Sequence, residues 1–221
     1  MKDYKTILAE IKSICDENNR IDACLWEIHE TRRAITNKTE RIAAIKRTAE
    51  EENRLCTQKT DNSAVIGILA NNAKKAMFAE VAPVVTEVLN KYAGKSHGPK
   101  TAEKIQNEIE GKAGVYFYIG SSSQKIYVKD RENCFGVDIY PTNGFKILTD
   151  DNKICRLTLD SLKVYDADED FVEDPRQQLE EIKAAKKAVL DKQIELDAAI
   201  NAYNAVAVGL NKIHDANYFR F

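Results

Sequence analysis

Isoleucine recurs at every seventh position over the opening stretch of the chain: Ile7, Ile14, Ile21, Ile28, Ile35 and Ile42, continued in register by Ala49 and Cys56. A strict seven-residue repeat belongs to a helix that buries one narrow stripe against another helix. It predicts a helix over 5–56, roughly 75 Å long at ~1.5 Å per residue and so longer than an ordinary domain is wide. The positions four residues after the first seven members of this ladder are Ile11, Asn18, Leu25, Arg32, Thr39, Lys46 and Asn53. The seam therefore alternates apolar layers with polar ones, which favours a defined register over a tight zipper.

The far end of the chain repeats the period at Ile182, Val189, Leu196, Tyr203 and Leu210, behind Asp174-Pro175, a helix N-cap with proline at the first helical position. The expected partner of the first helix is this last one, in an antiparallel coiled-coil stalk. A homodimer through the Ile7–Ile42 stripe has the same sequence signature.

Between the two lies a head. Thr57 to Asn62 is polar and breaks the pattern, with Asp61, Asn62 or Ser63 available as a new cap. Helical spacing resumes at Val65, Ile66, Leu69, Ala73, Met77 and Val81, Pro83 kinks or reopens the helix, and Ala93 to Pro99 reads as a loop. Thr101 can cap a short helix carrying Ile105 and Ile109, which Gly111 and Gly114 stop. The period then falls to two. Val115, Phe117 and Ile119 alternate with Tyr116 and Tyr118; Ile126 and Val128, Phe135, Val137 and Ile139, Phe145 and Ile147, and Ile154, Leu157 and Leu159 follow between short turns. The fold class is α+β. Its parts are a long N-terminal helix (1–60), helices of the head (61–112), an antiparallel meander (113–165), an acidic linker (166–174), a C-terminal helix (175–215) and an aromatic tail (216–221).

Charge is nearly balanced, with 33 basic and 35 acidic residues, so no strong net field draws the chain to nucleic acid or membrane. No apolar run approaches a membrane span, and the start of the chain lacks a signal-type apolar core. Five cysteines without Cys-x-x-Cys spacing point to a reducing cytosol rather than a disulfide framework.

Gly114-Val115-Tyr116, with Tyr127-Val128 eleven residues later, resembles the paired strands of the GIY-YIG nucleases. The resemblance implies a small sheet and a metal-dependent phosphodiester cleavage site completed by arginine and glutamate. The family's closing glycine is Lys129 here, and strand pattern continues where its helix should begin. Gly94-Lys95-Ser96 lacks the earlier glycine of a P-loop, that position being Leu89. Asp166, Asp168 and Asp170 open like a calcium loop, but Phe171 and Gln177 stand where glycine and glutamate are needed. His29, His97 and His214 lie in separate segments without metal-ligand spacing. No cofactor is implied.

The function expected is therefore non-enzymatic: a cytosolic interaction module that binds another protein. Its candidate contacts are the acids Asp166, Asp168, Glu169, Asp170, Glu173 and Asp174 and the aromatic tail Tyr218, Phe219 and Phe221. One alternative is an inhibitor of a nucleic-acid enzyme, of the kind mobile elements encode, with those acids mimicking phosphates. A second is a nucleic-acid-binding head that uses Lys95, Lys100, Lys104 and Lys112.

Overall fold

The computed structural model describes residues 2–120, 125–141, 147–149, 151–164 and 171–207. It comprises two compact units, Met1–Glu173 and Asp174–Phe221.

In the first unit the single helix expected over 5–56 is two. Helix α1 (Tyr4–Ala34) stops at the extended residue Ile35, and α2 (Lys38–Lys91) starts afresh behind Asn37. The Asn37 side chain accepts from the backbone N–H groups of Thr39 and Glu40 at 2.9 and 3.2 Å, satisfying two of the donors that a helix start leaves open. This cap is the physical reason for the correction: it turns the chain back on itself and resets the helical phase. Ile42 and Cys56, which continue the ladder in sequence, are consequently exposed. The α2 positions turned toward α1 are instead Thr48, Leu55, Asn62 and Leu69, again seven residues apart and all buried or half-buried.

Cross-helix contacts run in opposite directions along the two helices, Asn18 to Asn62 near one end and Arg32 to Glu52 near the other, so α1 and α2 form an antiparallel hairpin. Ile7, Ile14 and Ile21 are buried in it. The polar layers of the α1 seam each meet a polar partner. The Asn62 amide donates to Asn18 at 3.0 Å, and Arg32 pairs with Glu52 at 2.6 Å while also donating to the Thr48 hydroxyl. The polar run 57–62 is accordingly not a break: it continues α2, and its Asn62 is 1% exposed. At ~1.5 Å per residue the 31 residues of α1 extend roughly 45 Å.

Beyond the hairpin α2 becomes the central helix of the head. Its face of Val65, Leu69, Ala73, Met77, Val81, Val85 and Leu89 is buried. Pro83 lies inside the helix on an exposed face, where the carbonyl it deprives of a partner belongs to the likewise exposed Ala79 and can be met by water. Helix α3 (Pro99–Ala113) contributes Ile105 and Ile109, begins after Gly98 rather than at Thr101, and ends at Gly114, whose φ of 65° is the left-handed conformation that stops a helix.

The strands β1 (Tyr116–Ile119), β2 (Ile126–Asp130), β3 (Phe135–Pro141) and β4 (Leu162–Val164) form an antiparallel meander in sequence order. The strand expected over Ile154, Leu157 and Leu159 is not one: Ile154 makes only an isolated bridge with Leu148, and Leu159 opens a 3-10 turn. Phe117, Ile119, Ile126, Val128, Val137, Ile139 and Leu162 bury one face, with α2 and α3 as cover. At Gly136 an added β-carbon would stand 2.7 Å from the Val128 carbonyl oxygen, so β2 and β3 approach closely only because no side chain is there.

Two asparagines of α2 hold the irregular segments. Asn90 donates to the Leu157 carbonyl at 2.9 Å and accepts from its N–H at 2.8 Å. Asn72 does the same for Val172 at 2.7 and 3.1 Å. The two lie 18 residues apart, five full turns of helix, and therefore on one face.

The second unit is helix α4 (Pro175–Val206), capped by the Asp174 carboxylate, which accepts from the N–H groups of Arg176 and Gln177 at 3.0 Å. Along it Ile200 is buried, while Ile182, Val189, Leu190, Ile194, Tyr203 and Val206 are exposed.

The matched polar layer yields a prediction. Asn62→Ala strands a half-buried amide on Asn18 and should lower stability by about 1–3 kcal/mol. Replacing both residues with leucine should restore or exceed the parent stability, because no polar group is then left without a partner. Urea unfolding of the three proteins checks this; a single variant as stable as the parent would remove the polar layer from the account.

Candidate functional site

Period-two alternation gives the sheet two faces of different chemistry. The face away from the core carries three cross-strand rows. Tyr116 stands opposite Lys129, itself opposite Gly136; Tyr118 stands opposite Tyr127, itself opposite Asp138; and Tyr140 stands opposite Lys163. Rows on one face lie about 6.8 Å apart along a strand, and neighbouring strands about 4.8 Å apart.

Cations sit on the rings. The Tyr118 and Tyr127 centroids are 6.0 Å apart with planes tilted by 41°. Lys125 Nζ lies 4.3 Å from the Tyr127 centroid and 5.5 Å from that of Tyr140, and pairs with Asp138 at 3.0 Å. Its ammonium is held above the usual lysine range, chiefly by the Tyr127 hydroxyl and then by Asp138 and Tyr140. The Arg131 guanidinium stacks 4.4 Å from the Tyr116 centroid. Lys129, Lys163 and Arg131 are exposed.

At the sheet edge a cleft of about 440 Å³ is lined by Lys5, Glu110, Gly114, Val115, Tyr116, Asp130, Arg131 and Glu132. Its deepest carboxylate, Asp130, is 4% exposed and accepts from Tyr4 Oη at 3.0 Å, Asn133 Nδ2 at 2.8 Å and the Glu132 and Asn133 N–H groups. Burial alone would raise the Asp130 pKa, but the bonds from Asn133, Tyr4 and Glu132 outweigh it and hold the carboxyl below its ordinary value. Burial, and then the same bond to Asp130, push the Tyr4 phenol well above its ordinary range. Glu110 accepts from Gln106 Nε2 at 2.8 Å and from the Phe117 N–H at 3.4 Å. Of the residues on which the GIY-YIG resemblance rests, the cleft gathers Gly114, Val115 and Tyr116 but not Tyr127 or Val128, and Asp130 and Glu110 are spent on holding the chain. The position of that family's closing glycine is the exposed Lys129.

The residues singled out from sequence are scattered by comparison. Lys95 lies over the Tyr92 ring at 5.1 Å in a loop pinned to the segment at 152–154. Lys100 and Lys104 are exposed on α3. Lys112 belongs to a network with Lys91, pairing with Glu87 at 2.7 Å and Glu108 at 3.5 Å, and so offers little charge to a ligand. Asp166, Asp168, Glu169, Asp170, Tyr218, Phe219 and Phe221 lie outside the described residues. Glu173 is exposed, and Asp174 serves as the cap of α4.

The sequence reading did not assemble the tyrosine–lysine face. Its signal was present in the polar phase of the same alternation whose apolar phase marked the core. Comparison of the chain with protein-family models, curated proteins and solved structures gave no match. Among the described residues no helix is long and apolar enough to cross a membrane.

Asp130 sets a pH dependence. Its folded pKa lies below that of the unfolded chain, so the ionised form favours folding; the contribution is complete above the unfolded value of about 3.9 and fades as pH falls through the folded value. Asp130→Asn should be markedly less stable than the parent at pH 7, with the gap narrowing below about pH 4. Tyr4→Phe, which removes a hydrogen bond to a charged group, should cost about 1.5–3 kcal/mol at pH 7. Thermal unfolding at pH 7 and pH 3 reads both; a gap that stays constant with pH would show that Asp130 does not act through its charge.

Proposed function

We propose that the protein acts by binding rather than by catalysis, and that the outer face of the head's sheet is its working surface. The observation that supports this most directly is the gathering of Tyr116, Tyr118, Tyr127 and Tyr140 with Lys125, Lys129, Lys163 and Arg131 on one face. A solvated sheet face is stable with short polar residues. Large rings are what recognition surfaces concentrate, because tyrosine presents wide contact area with few rotatable bonds to immobilise, and arginine is enriched on them as well. The core face is committed to α2 and α3, and on the outer face Tyr118, Lys129 and Lys163 are exposed, which supports this reading.

A second reading, a protein partner held by a helix, is favoured by α4. Ile182, Val189 and Tyr203 keep seven-residue spacing and are exposed, a stripe suited to one amphipathic helix of another chain. The coiled-coil character, the cytosolic setting and a second copy as that chain all belong to this proposal. Light scattering of the parent and of Val189→Glu tests the second copy: a dimer that becomes monomeric in the variant supports it, and a monomeric parent removes it.

The test of the main reading is capture from host lysate by the full chain and by a Tyr118→Ala/Tyr127→Ala variant, each with and without nuclease treatment. At least one bound species should be lost from the variant while its circular dichroism matches the parent. Identical capture by both proteins would overturn the reading.

A further inference from the structure

We infer that the ligand of this face is a single strand of nucleic acid, a deduction that rests on the binding reading above. Three features of the face converge on it. The first is stacking. Every nucleobase presents a flat π surface once it is unstacked from a duplex, and tyrosine rings are platforms for it regardless of sequence. Tyr118, the most open of the four at 47% exposure, lies across from Tyr127, and Tyr116 precedes it by one row.

The second is charge. Asp138 is already answered by Lys125 at 3.0 Å, whereas among the described residues neither Lys129 nor Lys163 has an ion pair. With Arg131 beside Tyr116 they place cations at both ends of the tyrosine rows, where a backbone crossing the sheet would carry its phosphates. A protein segment docked on the same rows would have to be acidic throughout to answer these charges, whereas each nucleotide brings one anion with one ring. The third is accessibility: Tyr118 offers its ring at the surface, where only a base freed from a duplex stack can meet it. Duplex DNA or RNA keeps its base faces stacked inside, so the face should discriminate against it.

The opposing charge balance of the whole chain does not contradict this, because the cations are gathered on the surface that uses them while many acids are spent elsewhere. Glu87 and Glu108 pair with Lys91 and Lys112, Asp174 caps α4, and Asp130 is buried.

The test uses the full chain and fluorescein-labelled 12-nucleotide probes of deoxythymidine and of uridine, with a mixed-sequence duplex of equal length as control. Fluorescence anisotropy is read at 50 and 500 mM salt. The parent should bind one or both single-stranded probes, the pair of probes separating DNA from RNA, and should bind the duplex at least ten-fold more weakly. With three phosphates neutralised, the tenfold rise in salt should weaken binding about 100-fold. Tyr118→Ala, which removes one stacking platform, should weaken it about ten-fold. Lys129→Glu/Lys163→Glu alters only exposed side chains, so it should leave the circular dichroism unchanged while weakening binding and flattening the salt dependence of what remains.

No binding of either single strand, equal binding of the duplex, or affinities unchanged in both variants would overturn the inference. If the probes fail while nuclease-resistant capture still depends on Tyr118 and Tyr127, the nucleic-acid ligand is wrong and the binding face survives. If capture is also indifferent to those tyrosines, both are wrong.

Discussion

An amide withdrawn from water must be paired, and α2 uses that requirement at three points, two buried (Asn62 and Asn72) and one half-buried (Asn90), to place what surrounds it. Asn62 meets Asn18 across the hairpin, Asn72 grips the backbone at Val172, and Asn90 grips it at Leu157. Apolar contacts slide at little cost, since one isoleucine layer is much like the next. An amide contact does not slide, because moving it by one layer leaves a donor and an acceptor in an apolar setting at a cost of about 1–3 kcal/mol each. The apolar seam therefore supplies attraction and the amides supply position. One helix carries both the hairpin register and the location of the segments that close the head, which is why its 54 residues run without a break through a polar stretch and a proline.

The legibility of the fold follows from the same division. The α1 stripe and its seven-residue period were readable because Ile7, Ile14 and Ile21 are buried by a partner helix. The partner was not readable, since periodicity states only that some helix covers the stripe. Asn37 was the missing signal: it sits inside the ladder, and its identity as a cap depends on Ile35 and Thr36 leaving the helix, which the isoleucine at position 35 argued against. The polar run at 57–62 misled for a related reason. Asn62 looks like a boundary until Asn18 is opposite it. Both errors arise where a polar side chain is satisfied by something distant in sequence, and local pattern has no access to that.

The sheet was legible for the opposite reason. Its core phase, Phe117, Ile119, Ile126, Val128, Val137 and Ile139, needs only alternation to be recognised, and consecutive hairpins leave little freedom in strand order. The outer face needs register as well. Tyr118 and Tyr127 become neighbours, and Lys129 joins Tyr116, only once the pairing of β1 with β2 fixes which residues oppose each other. The lysines of the loop and α3 drew attention first because they are dense in sequence. In the structure Lys112 lies among glutamates and Lys95 rests on Tyr92, while Lys100 and Lys104 are exposed on α3.

The two faces of the sheet also explain why the Tyr4–Asp130 bond matters beyond local stability. Asp130 is the last residue of β2, on the core phase, and the next residue, Arg131, is the one that stacks on Tyr116. Tyr4, from the first turn of α1, therefore fixes the end of the strand from which the guanidinium projects. The same carboxylate accepts the N–H groups of Glu132 and Asn133 and so shapes the turn into β3. The start of the hairpin and the corner of the outer face are thus joined through one buried charge. A rigid corner holds the ring and the guanidinium in one arrangement, so that the ordering cost of those side chains falls on folding.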